Sequence, residues 1–404
     1  FTLTNGSVIK NRLFKSAMSE QLGDKRHNPN KGLAKLYGRW AKGGIGIAMT
    51  GNVMIDRAAL GEPKNVVLDE QSDLSLFKRW AEAGKQNNTH IWPQLNHPGK
   101  QIPSFLCEEP VAPSAISLGR GLQKAFNQPR ALTEPEILDI INKFATSAKE
   151  AGFTGVQIHG AHGYLVSQFL SSRHNQRDDQ WGGSIENRMR FVLEVYKAIR
   201  KQVGNNFPIG IKLNSADFMK GGFTEEESML VVQALSEAGI DLIEISGGTY
   251  ESPSMMGADK KKDPSEQKAS TVKREAYFLD YMEKVRKLVE TPLVVTGGFR
   301  SGPGMNHALQ SGATDFVGIA RTIVVDPEFP NKLIADNNHS MPLTVPSTGK
   351  PKLDAASMVG LVWYEHQMWR IAKGKDPKPN LSAMGVVLKT MLSAGLYSFR
   401  KRRA

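Results

Sequence analysis

Residues 155–170 read GVQIHGAHGYLVSQFL. A short apolar run stops at His159, and His162 and Tyr164 follow at once, with Gly160 and Gly163 between them. A run this short, closed by polar and glycine residues, reads as a strand buried on both faces. Seven other stretches repeat the pattern: RLFKSAM (12–18), IGIAMTG (45–51), HIWPQL (90–95), PIGIKLN (208–214), DLIEISG (241–247), PLVVTGG (292–298) and TDFVGIA (314–320). Segments with helical spacing of apolar residues lie between them, such as EPEILDIINKFATSAKEAG (134–152) and EEESMLVVQALSEAG (225–239), the second closed by a glycine stop. Strands alternating with helices imply parallel pairing and right-handed crossovers. Eight such units within 320 residues predict a (β/α)8 TIM barrel in preference to an open doubly wound sheet.

The chain has 404 residues, 40% of them hydrophobic and 23% charged, which is globular and excludes a disordered or fibrous chain. Its single cysteine, Cys107, excludes an internal disulfide framework and a cysteine-ligated iron–sulfur cluster held by this chain alone. A reducing, cytoplasmic setting is the corresponding expectation. No uninterrupted apolar run reaches the ~18 residues of a membrane-spanning helix. The net charge of +12 is scattered apart from KKK (260–262) and RKRR (400–403), so a nucleic-acid partner is not expected.

The barrel is assigned to residues 1–340. Two connections, 96–132 and 247–270, exceed the usual ~2–6 residues of a βα loop and are read as functional loops. Residues 341–404 are assigned to a linker and a helical arm: GLVWYEHQMWRIAKGK (360–375) with an apolar face at Leu361, Tyr364 and Met368, then LSAMGVVLKTMLSAGLYSFRKRRA (381–404). The arm is expected to pack on the barrel or on a neighbouring copy as a homo-oligomer contact, with a membrane-surface helix as the competing reading.

Active sites of TIM barrels lie at the C-terminal ends of the strands. Here those positions hold Ser19, Thr50, Gln94, His159 with His162, Lys212 with Asn214, Ser246 with Gly247, Gly297 with Gly298, and Ala320 with Arg321. TGG after the seventh strand and ARTI after the eighth stand where this fold commonly binds phosphate. Two histidines make an incomplete zinc site, and no carboxylate or third histidine at a strand end completes it, so no metal is expected. The pair reads either as a packed core pair or as donors to a developing oxyanion, with Tyr164 placed to deliver a proton. Lys212 reads either as a Schiff-base lysine or as a cation that stabilises an anionic ring.

QIHGAHGYLVSQFLSSRHNQRDDQWGGSIENRMRF (157–191) closely resembles the signature of the old yellow enzyme family of flavin-dependent ene-reductases, in which His-x-x-His or His-x-x-Asn precedes Gly-Tyr and a Gly-Gly-Ser-x-Glu-Asn-Arg run. KNRLFKSAMSE (10–20), PQLNHPGKQ (93–101), PRALTEPEI (129–137), REAYF (274–278), VVTGGFRS (294–301) and VGIARTIVVDPEFP (317–330) resemble that family's other blocks in the same order. The resemblance implies a non-covalent FMN across the barrel mouth. Ser16, Ala17 and Met18 would meet the edge of the isoalloxazine, Thr50 and Gln94 its heteroatoms, Lys212 its N1 and O2, and Gly297, Gly298, Ala320 and Arg321 its phosphate. His159 and His162 would bind the substrate's carbonyl or nitro oxygen, and Tyr164 would protonate the carbon alpha to that group.

Ser19 stands where the family often has a cysteine or threonine that tunes the flavin potential, and Gln21 where some members have a tyrosine. With one cysteine and no Gly-x-Gly-x-x-Gly, electrons are expected from free NADH or NADPH. The competing functions are a cofactor-free lyase using Lys212 and a flavin-binding scaffold without turnover.

Overall fold

The computed structural model describes residues 1–119, 121–148, 151–247, 278–343 and 345–401. Eight parallel strands close into a barrel: β1 (Leu13–Lys15), β2 (Ile47–Met54), β3 (His90–Asn96), β4 (Val156–Gly160), β5 (Ile209–Asn214), β6 (Leu242–Ser246), β7 (Leu293–Thr296) and β8 (Phe316–Ile319). Phe14 of β1 pairs with Gly318 on one side and Ile47 on the other, which joins the sheet's two edges. All eight strands coincide with the apolar runs, but two boundaries moved. β1 ends at Lys15 because the chain leaves the sheet after one further ladder bond, from the Ser16 N–H to the Ile319 carbonyl (2.9 Å). β2 runs on to Met54 because a bulge between Met49 and Asn52 restores its pairing with β3.

Inward residues of the lower barrel make an apolar plug of Phe14, Ile47, Met49, Trp92, Leu242, Val294 and Phe316, sealed from below by Leu3 and Ile9 of the N-terminal segment. The outward faces meet the helices in a second, larger core. Local chemistry sets where those helices begin. Thr133 with Glu136, and Thr224 with Glu227, form capping boxes at the starts of helices Glu134–Ser147 and Glu225–Glu237.

The arm belongs to the same packed body. In helix Val359–Ala372, Val362, Trp363, Tyr364, Met368 and Ile371 join the outer core along with Leu33, Leu36 and Trp40 of helix Lys31–Lys42. The expected face was partly wrong, since Leu361 is 38% exposed. That helix packs against helices Lys31–Lys42, Ala383–Lys401 and Arg321–Val325, and Leu361 remains partly open to solvent. Two hydrogen bonds tie the arm to the segment after β1: Trp369 Nε1 donates to the Glu20 carbonyl (2.7 Å), and Gln21 Nε2 donates to Glu365 Oε1 (3.0 Å).

The loop 96–132 is ordered around two short paired strands, Val111–Ala112 and Arg130–Ala131. The loop expected at 247–270 lies outside the described residues from position 248, as do the lysines at 260–262, most of the block 274–278, and residues 402–404 of the basic tail. No helix among the described residues is long and apolar enough to cross a membrane.

A Cβ on Gly155 would lie 2.4 Å from the ring of Trp92, in the middle of the inner plug. Gly155→Ala is therefore expected to lower stability by roughly 1–3 kcal/mol through overpacking, measured by urea unfolding. An unchanged midpoint would show that the indole has room to move.

Candidate active site

Side chains alternate between the two faces of a strand, so each residue of the apolar plug is followed two positions later by another inward residue. On four of the strands those positions are polar: Phe14 leads to Ser16, Trp92 to Gln94, Leu242 to Glu244 and Val294 to Thr296. Gly155 and Gly210 lead in the same way to Gln157 and Lys212. The result is a buried polar layer. Gln94 Nε2 donates to Gln157 Oε1 (2.7 Å), and Gln157 Nε2 donates to Glu244 Oε2 (2.9 Å). Glu244 Oε1 accepts from Thr296 Oγ1 (2.8 Å) and pairs with Lys212 Nζ at 3.1 Å. Because the Thr296 proton goes to Glu244, Ser16 is the donor in its 2.8 Å contact with Thr296. Lys212 thus sits as a cation against a carboxylate, an arrangement suited to holding a positive charge under the mouth and unsuited to a Schiff-base nucleophile.

Above this layer β4 ends at Gly160, where a Cβ would lie 2.9 Å from the Lys212 carbonyl, so glycine lets the two strands approach. His162 then takes a left-handed backbone (φ 61), unusual for a residue with a side chain. It is held there by its N–H to Asn214 Oδ1 (3.2 Å), and Asn214 Nδ2 donates in turn to Asp217 Oδ1 (3.0 Å). The rings of His159 and His162 meet edge to face at 5.2 Å, and His159 meets Tyr164 at 4.8 Å. His159 Nδ1 accepts from the Ala161 N–H (3.3 Å), which places its proton on Nε2. His162 Nε2 lies 2.8 Å from Ser246 Oγ, and the Tyr164 hydroxyl accepts from Asn52 Nδ2 at 3.4 Å.

Burial, reinforced by the charge on Lys212, pushes His162 down to about 3. Burial, His162 and Lys212 together hold His159 well below the usual imidazole range. Both rings are therefore neutral at physiological pH and act as N–H donors without formal charge.

At the opposite side of the mouth a cavity of about 150 Å³ is lined by Thr296, Gly298, Arg300, Ala320, Arg321 and Thr322, among others. Gly298 is left-handed (φ 85), a Cβ on Gly318 would fall 2.1 Å from Thr296 Oγ1, and the buried Thr322 hydroxyl has no hydrogen-bond partner among the described residues. A glycine turn, two guanidinium groups and an unsatisfied hydroxyl suit a phosphate. The residues present fit the phosphate of FMN: Gly297, Gly298, Ala320 and Arg321, expected there from the sequence, line this one cavity together with Arg300.

The segment after β1 is pinned from beneath. Glu20 Oε1 accepts from the Tyr37 hydroxyl and from the Gly51 N–H (2.9 Å), while the buried Lys15 Nζ donates to the Met49 carbonyl (2.6 Å). Ser19 Oγ donates to Glu62 Oε2. Thr50 donates to the Gly51 carbonyl (2.8 Å) and accepts from the Gln94 N–H (2.9 Å), so its hydroxyl proton is used within the strands. The Ser16 N–H is likewise used in the ladder, in its bond to the Ile319 carbonyl.

Gln157, Glu244, Asn52 and Arg300 were not among the residues expected at the site, and Thr296 entered only as part of the TGG motif. Inward alternation from Trp92, Leu242 and Val294 was the available signal for the Gln94 layer.

Unfolded histidines titrate near the usual 6.5, whereas His159 and His162 stay neutral far below it when folded. On acidification below about pH 6.5 the unfolded chain takes up protons that the folded chain refuses, so stability falls by up to about 1.4 kcal/mol per pH unit per ring. Urea unfolding at about pH 7 and about pH 5 is expected to show a smaller acid loss for His162→Asn than for the parent. Asparagine suits the left-handed backbone, and an equal loss in both proteins would contradict the burial assignment.

Residues 1–339 match the model of the NADH:flavin oxidoreductase / NADH oxidase family. The chain is 37% identical over 382 residues to the NADH-dependent flavin oxidoreductase iliE of Hypocrea jecorina (strain QM6a), covering 89% of this chain and 93% of that protein. It is 32% identical over 331 residues to a cinnamate reductase of Clostridium sporogenes (strain ATCC 7955), covering 76% of this chain and 48% of that longer protein. Its fold is similar to that of the old yellow enzyme homologue from Zymomonas mobilis, with a TM-score of 0.70, 23% identity, and coverage of 85% of this chain and 92% of the other.

Proposed function

Because the chain belongs to the NADH:flavin oxidoreductase / NADH oxidase family, we propose that this flavin enzyme reduces the C=C bond of activated alkenes such as enones and unsaturated carboxylates. The observation that carries the reading is the trio at the end of β4: two neutral imidazoles and a phenol, with the His159 ring meeting His162 at 5.2 Å and Tyr164 at 4.8 Å, edge to face. Bound FMN, once reduced by NADH or NADPH, supplies the hydride that the β carbon takes up. His159 and His162 donate to the oxygen of the activating group and stabilise the negative charge that grows there. Tyr164 gives its hydroxyl proton to the α carbon and recovers one from solvent, with Asn52 fixing the phenol's position. Lys212 and Glu244 hold a cation beneath the mouth, and Gln94 lies beside it. Arg300 and Arg321 neutralise the phosphate. The name of the Hypocrea relative favours NADH over NADPH as reductant, and the cinnamate reductase favours a conjugated acid among the substrates.

The test is a visible absorption spectrum of the purified protein before and after anaerobic NADH, then after cyclohexenone. Flavin bands that bleach with NADH and return with the enone are expected. A flavin that NADH fails to reduce would mark a scaffold, and one that the enone leaves reduced would send the search to other acceptors. Tyr164→Phe is expected to slow the enone step by on the order of 10²–10⁴, the range of general acid catalysis, while reduction by NADH is unchanged. Equal losses in the two half-reactions would remove Tyr164 as the proton donor.

A further inference from the structure

We propose that Ser246 is a positioning residue whose hydroxyl donates to His162 Nε2 and thereby fixes the ring in the tautomer that carries its proton on Nδ1. The proposal rests on the reading of His159 and His162 as oxygen-binding donors, and it gives the two rings separate devices. A neutral imidazole has one N–H and one lone pair, and the partner of one nitrogen decides what the other can offer. At His159 the partner is a backbone amide, Ala161 N–H, which can only donate, so Nε2 keeps the proton. At His162 the partner is Ser246 Oγ at 2.8 Å, a group able to donate or accept. Only donation by the serine leaves His162 with an N–H for a substrate oxygen.

Two observations point to donation. Ser246 ends β6 and is buried, and among the described residues its hydroxyl has no other hydrogen-bond partner to take its proton. The cation at Lys212 disfavours the doubly protonated ring, in which the question of tautomer would not arise. A carboxylate at position 246 would reverse the outcome, because it can only accept and would pull the proton to Nε2.

The test uses the FMN-loaded enzyme with ¹⁵N-labelled histidine, the His162 signals being identified by their loss in His162→Gln. Expected are a protonated Nδ1 and an unprotonated, hydrogen-bonded Nε2. Ser246→Ala is expected to shift His162 towards the Nε2–H form and to weaken the binding of 4-hydroxybenzaldehyde about tenfold, the scale of one hydrogen bond. Ser246→Thr, which keeps the hydroxyl, is expected to restore both. A proton on Nε2 in the parent protein, or an unchanged tautomer and affinity in Ser246→Ala, would overturn the proposal. Because the tautomer is read without turnover, a failure of the alkene-reductase reading would appear separately, as a parent enzyme with a protonated Nδ1 and no enone reduction.

Discussion

The buried pair of Lys212 and Glu244 is the constraint on which the rest of the site depends. Two charges taken out of water cost far more than their mutual attraction returns unless the remaining donors and acceptors are also satisfied. Here the second carboxylate oxygen takes Gln157, the first takes Thr296 as well as Lys212, and Gln94 and Ser16 extend the chain. The network therefore spans β3 to β7 and the end of β1, and it forms the floor of the mouth as well as a girdle around the barrel. The same lysine acts upward at a distance, since its charge is among the reasons that both histidines stay neutral. One ion pair thus places a cation beneath the mouth and helps keep the two imidazoles above it uncharged.

The rim is organised by shorter-range devices. His162 sits in a backbone region that disfavours side chains, and Asn214 with Asp217 supplies the compensating bonds. Around β1 the anchors are acidic: Glu20 under the segment, Glu62 on Ser19 and Glu365 on Gln21. Burial and the neighbouring carboxylates push Glu365 up to about 8, with Glu62 raised for the same reason. The hydroxyl at position 19 therefore answers to a carboxylate behind it, and any influence of Ser19 on bound flavin includes the protonation state of Glu62.

The barrel was legible because strands buried on both faces read as unbroken apolar runs, and eight of them recur with helical spacing between. The strand ends were legible for the same reason, since a polar residue closing such a run stands out, as His159, Lys212 and Arg321 do. Gln157, Glu244 and Thr296 were hidden inside the runs GVQIH, DLIEISG and PLVVTGG, where a lone polar residue among apolar ones looks like an interruption. Their meaning depends on which face of the strand they occupy, and that depends on the neighbouring strands. Asn52 was missed because it follows a bulge that shifts the register by local geometry alone. The contacts of Ser19 with Glu62 and of Gln21 with Glu365 join segments far apart in the chain, and only the folded molecule brings them together.

That last contact has a temporal side. The Trp369 indole reaches the Glu20 carbonyl across 349 positions of sequence, and the Gln21 amide reaches Glu365 across 344. A chain made from its N-terminus emerges vectorially, and its first elements wait for partners that are synthesised last. The segment after β1 is thus separated from two of its anchors by more than three hundred residues of chain. In the nascent chain these two bonds can form only after helix Val359–Ala372 has emerged, so the segment after β1 reaches its full set of anchors late in synthesis.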